Sequence, residues 1–253
     1  MNMSNALAAL ATDASTSTIV CLGTGGVGKT TTAAALGAFA AESGRSALVV
    51  TVDPAARLAQ ILGTPDASAD PLQPWSVPGA PGLSMVQLAT SAVFDNAVRE
   101  ALPTEQARSL LNNQYYRLIA DAFAGSTDYM AVELVGRLRA RVARTGELLI
   151  IDTAPAASAF EFLDAPTRLA AFTDSRFVRT LQGMGGRAGS AVVTRRLLSA
   201  VLGAQLTEGV AELLTSLHAA LVQIRDRASA TLAHLTSSSS TFIIVTRPAA
   251  DQV

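Results

Sequence analysis

Short apolar runs bounded by turn-forming residues recur along the chain, a pattern that marks strands. Five segments qualify: Thr18–Leu22, Ala47–Val52, Leu83–Leu88, Glu147–Ile151 and Thr241–Val245. Within them the runs ALVVTV, LLII and FIIV are continuously apolar instead of alternating with polar residues. A strand of that kind has to be covered on both faces, as in a parallel sheet flanked by helices. Between strands the spacing changes to the helical period, at Lys29–Glu42 after the first strand and Ala55–Leu62 after the second. Alternating β and α elements predict a doubly wound, mostly parallel α/β sheet.

Two stretches are too long for simple crossovers. Residues 90–145 read as three helices, Ala92–Leu102, Thr104–Ala124 and Asp128–Ala143. Residues 166–235 read as further helices with a glycine-rich break, GMGGRAG, at 183–189. The chain is therefore expected to be one domain over 17–253, with helical insertions at about 90–145 and 166–235. These insertions form a helical subdomain packed on one end of the sheet. Residues 65–82 are a Pro/Gly/Asp-rich loop, and TSSSS at 236–240 is too brief for a domain linker. Residues 1–16 lack a basic n-region and a long apolar core, which predicts a flexible tail.

Composition narrows the function classes. Of 253 residues, 49% are apolar and 15% charged, which suits a buried globular core rather than disorder. The net charge of −1 gives no bulk attraction for nucleic acid or an anionic membrane, and neither is expected as a partner. No apolar run approaches the roughly 18–20 residues that span a bilayer. The one cysteine, Cys21, makes neither a disulfide framework nor a zinc site within the chain, so a reducing cytoplasm is the expected compartment. Of the 19 basic residues only one is lysine, and it is Lys29.

That lysine lies in Gly23-Thr24-Gly25-Gly26-Val27-Gly28-Lys29-Thr30, which fits G-x-x-x-x-G-K-[ST] at each fixed position. A random match in a chain this long is on the order of one in a hundred from average residue usage. Position strengthens it, because the loop follows an apolar strand and opens a helix. Glycines let successive N–H groups curl inward as an anion nest, and the helix start adds partial positive charge. Lys29 would reach the β- and γ-phosphates of ATP, the Thr30 hydroxyl would bind Mg²⁺, and Thr31 would add a hydroxyl or amide at the α-phosphate.

A phosphate loop also needs carboxylates for the metal and the attacking water. Asp53 follows the second strand and Asp152 the fourth, both at the carboxyl edge where such sheets bind ligands. The alternative for each is a helix N-cap, since Asp53-Pro54 also suits a helix start. Four other candidates are weaker. His218 and His234 lie on helical faces away from the strand ends, Arg57 is spaced to reach a phosphate or a facing subunit, and GRLRARVAR at 136–144 reads as a solvated helix face.

Together these features resemble the ArsA-type ATPases, which include the arsenical-pump and guided-entry ATPases of the deviant-Walker-A P-loop branch. GTGGVGKTT (23–31) is similar to the family's GKGGVGKTT, DPAARL (53–58) looks like its switch I, and DTAPAASAFEFLDAP (152–166) looks like its switch II. AGSTDYMAVELVGRL (124–138) and the stretch 166–235 look like actinobacterial members of the group, and the resemblance covers about Thr18 to Thr246. It implies that Lys29 and the amides of Gly23, Thr24, Gly25, Gly26, Val27, Gly28, Thr30 and Thr31 hold phosphates. It also implies that Thr30, Asp53 and Asp152 serve Mg²⁺ and that Asp53 polarises the attacking water. Members act as dimers closed by ATP, with a helical groove for a hydrophobic or membrane-protein client.

Departures from the family pattern separate the possible readings. Thr24 replaces the lysine that crosses the dimer to the partner's phosphates, and Ala156-Ala157-Ser158 replaces Thr-Gly-His in switch II. A single cysteine gives neither an arsenite-binding cluster nor a C-x-x-C clamp. The TFIIVT strand is followed by only a few residues, where relatives continue to an adenine-reading asparagine, so the form is shortened or reads adenine otherwise. The leading expectation is a slow ATPase, as a homodimer or as a heterodimer with a lysine-bearing paralogue. The alternatives are a nucleotide-binding regulatory subunit with little hydrolysis, or a MinD/ParA-type partition ATPase.

Overall fold

Six strands form one sheet: β1 (Thr18–Leu22), β2 (Ala47–Thr51), β3 (Trp75–Ser76), β4 (Leu83–Gln87), β5 (Leu148–Asp152) and β6 (Ser240–Ile244). Their spatial order is β3-β4-β2-β5-β1-β6, with every pair parallel except β3 against β4. In this computed structural model the described residues are 3–52, 57–63, 72–113, 116–117, 127–154 and 204–247. All five anticipated strands are present, their ends moved by about one residue. The short β3 lies in the segment expected as loop, where it hydrogen-bonds only along the β4 edge.

The ALVVT and LLII runs are buried on both faces, but FIIV is not covered as expected. β6 is the margin strand, with only β1 beside it among the described residues, and Phe242 and Ile244 are exposed. Val20, Leu48, Val50, Val86, Leu149 and Ile151 face one core, while Ile19, Cys21, Val49, Met85, Leu148 and Ile150 face the other. This is period-two alternation with both sides covered, and each fully buried aliphatic side chain contributes about 1.5–3 kcal/mol. The second core is roofed by α1 (Met3–Thr12), α2 (Lys29–Glu42) and α3 (Arg57–Leu62). The first is roofed by α4 (Thr90–Ala101), α5 (Thr104–Asn112), α6 (Thr127–Thr145) and the 32-residue α7 (Ala204–Leu235). The helices of the first insertion thus share one core with a face of the sheet. Residues 155–203, which hold most of the stretch resembling switch II and much of the expected second insertion, lie outside the described residues.

Two sequence expectations change. Where a flexible tail is predicted, Met3–Thr12 form α1, with Ala11 buried and Leu7 and Leu10 packed on the α2 side of the sheet. Arg45 secures its end by donating to the carbonyls of Ala11, Asp13 and Thr16. An alanine-rich helix this short gains its stability from such packing, which local sequence does not display. Nor is Arg137 of α6 on a solvated face, although Arg144 in the last turn is exposed as expected. Glu133 is completely buried and accepts from Arg137 at 2.7 Å and from Arg227 of α7 at 2.9 Å, and the Arg137 side chain is only 7% exposed. A buried carboxylate requires such compensation, because desolvating it alone is costly.

Helix α2 lies close against the sheet because Gly37 has no side chain. A methyl there would sit 2.7 Å from Val49 Cγ2 and 2.9 Å from Leu83 Cδ1. Gly37→Ala should therefore destabilise by about 1–2 kcal/mol, overpacking outweighing the gain in helix propensity. The expected fall in melting temperature is roughly 2–8 °C, and an unchanged or higher value in thermal unfolding would contradict this packing.

His234, near the end of α7, is half-buried, with Nε2 3.0 Å from Thr18 Oγ1 at the start of β1. Burial, with a smaller contribution from the Arg139 charge, holds its pKa below the ordinary 6.5. The unfolded chain therefore binds more protons just below pH 6.5, so this contribution is complete above that pH and is lost on acidification. Melting temperatures measured from pH 7.5 to 5.5 should fall less steeply for His234→Gln than for wild type.

Candidate functional site

β1 lies between β5 and β6, and the chain leaves it toward β2 on the β5 side. The later crossover to β6 goes to the other side. Opposite departures open a crevice at the carboxyl ends of the strands. The glycine loop fills that position. Gly23 can have no side chain, because a Cβ would collide with the Val245 carbonyl oxygen and lie 2.9 Å from Val27 Cγ2. Val245 N–H donates to the Leu22 carbonyl at 2.7 Å, which fixes the end of β6 beside the start of the loop.

Gly26 and Gly28 take positive φ values of 71° and 99°, a region open to glycine without strain. Gly28 is the N-cap of α2 and supplies no side-chain hydrogen bond, and the first turn contains no acidic residue. The positive end of α2 is therefore not compensated by its own cap or first turn, an arrangement suited to an anion. Thr24, Gly25, Gly26, Gly28 and Thr31 are exposed, Val27 and Thr30 are half-buried, and Lys29 is buried. The Lys29 ammonium folds back over the loop and donates to the Thr24 carbonyl at 2.9 Å.

Asp152 is the last residue of β5, in register with Cys21 on one side and Thr51 on the other. It is fully buried, and its Oδ2 accepts from the Thr51 hydroxyl at 3.0 Å. Thr153 donates through its hydroxyl to the Cys21 carbonyl at 2.7 Å, and Val52 N–H donates to the Asp152 carbonyl at 3.0 Å. These bonds hold the carboxylate two residues from the start of the glycine loop along the adjacent strand. Burial, and then the nearby Asp152 charge, push the Cys21 thiol up to about 12.

Of the expected site residues, the structure brings together the loop Gly23–Thr31 and Asp152 on one edge. Asp53 and the rest of 53–56 lie outside the described residues, and Arg57 opens α3. His234 belongs to the opposite edge, at the start of β1, and His218 lies within α7. Two neighbours were not anticipated. Thr51 has a weak sequence signal, as a polar residue near the end of an apolar run. Arg247, which donates to the Gly26 carbonyl at 2.8 Å from beyond β6, has none, since 221 positions separate the pair.

The donor set fits Mg²⁺ carried by a phosphate ligand. Such a hard, strongly hydrated cation takes only one or two protein oxygens, here the types offered by Thr30 and Asp152. Among the described residues there is no group of three His, Cys, Asp or Glu side chains suited to a metal held by protein alone. No helix among them is long and apolar enough to cross a membrane.

A mostly parallel α/β sheet with this glycine loop at its edge defines a nucleotide-binding protein of the P-loop class. More narrowly, the family model ArsA_ATPase, described as Anion-transporting ATPase, matches residues 16–250, and the chain belongs to that family. The search of curated proteins gave no match.

A buried thiol with its pKa near 12 carries almost no thiolate at pH 8. A thiol-specific reagent should leave Cys21 unlabelled in the native protein and label one equivalent after unfolding in denaturant. Rapid native labelling would mean that the β1 edge opens readily.

Proposed function

We propose that the protein is a Mg²⁺-dependent ATPase of the deviant-Walker-A kind, a cytoplasmic switch that dimerises around bound ATP. The observation that carries this reading is the exposed glycine loop opening an uncapped helix, with the only lysine of the chain folded over it and buried Asp152 on the adjacent strand. The ATPase family match over residues 16–250 supports it.

In this reading the loop amides and the α2 N-terminus bind the phosphates of ATP. Lys29 exchanges the Thr24 carbonyl for phosphate oxygens, so its charge moves only a short way on binding. Thr30 would hold Mg²⁺ through its hydroxyl oxygen, with Asp152 and Asp53 serving the surrounding waters. When bound, Mg²⁺ would supply charge neutralisation at the phosphates. Asp53, one position beyond buried Val52, orients the attacking water. The buried Thr51 hydroxyl orients the Asp152 carboxylate by donating to Oδ2. The dimer responds to the γ-phosphate, and helices outside the sheet present a groove to a hydrophobic or membrane-protein client.

One observation favours a second reading, a nucleotide-binding regulatory subunit with little hydrolysis of its own. Thr24 is exposed and brings no charge at the position where the resembling loops carry lysine. A cation acting on developing phosphate charge is worth orders of magnitude in rate.

Single-turnover hydrolysis with excess protein separates the readings. Slow phosphate release is expected from the chain alone. It should accelerate by about tenfold or more with a lysine-bearing paralogue or with Thr24→Lys, and be lost in Lys29→Ala. Turnover unaffected by Lys29→Ala overturns the ATPase assignment. Tight ATP binding without phosphate release, even with the paralogue, establishes the regulatory subunit instead.

A further inference from the structure

We propose that Arg247 is a phosphate-contacting residue of the nucleotide site, supplying in cis a second cation to a loop that has threonine at position 24. The proposal rests on the nucleotide-binding reading above and adds a residue to that site.

Arg247 lies three residues beyond β6, which hydrogen-bonds alongside β1 through the Val20↔Phe242 and Leu22↔Ile244 pairs. Its position is set by the tight junction in which Val245 N–H meets the Leu22 carbonyl and the Val245 oxygen fills the space a Gly23 side chain would need. From there the guanidinium reaches across to the middle of the glycine loop. Nη2 donates to the Gly26 carbonyl at 2.8 Å and Nε donates to the same oxygen at 3.3 Å. Arg247 is exposed, and no carboxylate pairs with it among the described residues.

The chemistry of the loop explains why a cation belongs there. A loop that receives a polyanion must turn its amides inward, and any carbonyl left nearby repels the ligand. Two loop carbonyls, those of Thr24 and Gly26, are each covered by a cation, Lys29 and Arg247. A guanidinium carries five N–H donors in a fixed fork, of which the Gly26 carbonyl uses two. Arg247 can thus keep its hold on the loop while the remaining donors meet phosphate oxygens. An ammonium has no such fork. Arg247 also enters from the β6 flank of β1, opposite the β5 flank that carries Asp152. The metal and terminal phosphate belong to the Asp152 flank, so Arg247 serves the inner phosphates that ADP and ATP share.

The test is isothermal titration of the full chain with Mg-ADP and with Mg-ATPγS at several salt concentrations. Wild type is compared with Arg247→Ala, Arg247→Lys and Lys29→Ala. Arg247→Ala should weaken both nucleotides by a similar factor, roughly tenfold, and make binding less sensitive to salt. Arg247→Lys should restore the salt sensitivity but only part of the affinity. Affinity within twofold of wild type in Arg247→Ala, with binding abolished in Lys29→Ala, overturns the proposal and leaves the nucleotide reading standing. Weakened binding with unchanged salt sensitivity overturns it too, reducing Arg247 to a prop for the loop. A loss confined to Mg-ATPγS contradicts the inner-phosphate assignment. If Lys29→Ala binds as wild type, the nucleotide reading itself fails.

Discussion

The carboxyl edge of this sheet depends on how closely the chain can turn at Gly23. β6 lies directly beside β1, and the Val245 carbonyl occupies the volume that any side chain at position 23 would take. The turn then continues through positive φ at Gly26 and Gly28 and delivers the chain into α2 without a side-chain cap. A capped helix would have spent its first amides on the protein itself. Here those amides and the positive helix end remain for a ligand. Steric exclusion at one glycine thus shapes the loop and keeps its donors in place.

The charges around the loop follow from that geometry. The single ammonium of the chain is buried and held on the Thr24 carbonyl, and a guanidinium from beyond β6 is held on the Gly26 carbonyl. On the other flank of β1, Asp152 is withdrawn from water and accepts from Thr51. Buried carboxylates are expensive unless hydrogen-bonded, so the Thr51 hydroxyl at the matching register position is as much a part of the edge as the carboxylate. The same burial leaves Cys21, one strand over, as an inert thiol packed in the second core.

The helical layer obeys a similar rule at larger scale. Gly136 of α6 faces Thr231 of α7 so closely that a Cβ there would meet the Thr231 hydroxyl. One helical turn away, Glu133 gathers Arg137 and Arg227 into a buried ion cluster that joins the two helices. Tyr116 adds a second tie by donating to Asp95 of α4 at 2.8 Å while stacking near Phe94. These polar contacts fix α6 against α7 and Tyr116 against α4, which apolar packing alone specifies less sharply.

Local sequence determined a good deal of this protein. Continuously apolar runs predicted the buried central strands β2 and β5, because a strand covered on both faces has no polar positions to alternate. FIIV, though, became a partly exposed margin strand. The glycine spacing predicted the phosphate loop, because few residues but glycine tolerate its backbone. Tertiary structure alone decided which elements became neighbours. It ordered β5 and β6 around β1, set Asp152 between Cys21 and Thr51, and placed Arg247 on Gly26. It also turned residues 3–12 from an expected tail into α1, and drew Arg137 from an expected solvated face into a buried ion cluster. Periodicity reports whether a residue meets water or core, but its partner across the fold is set by strand order and helix packing, which no local pattern records.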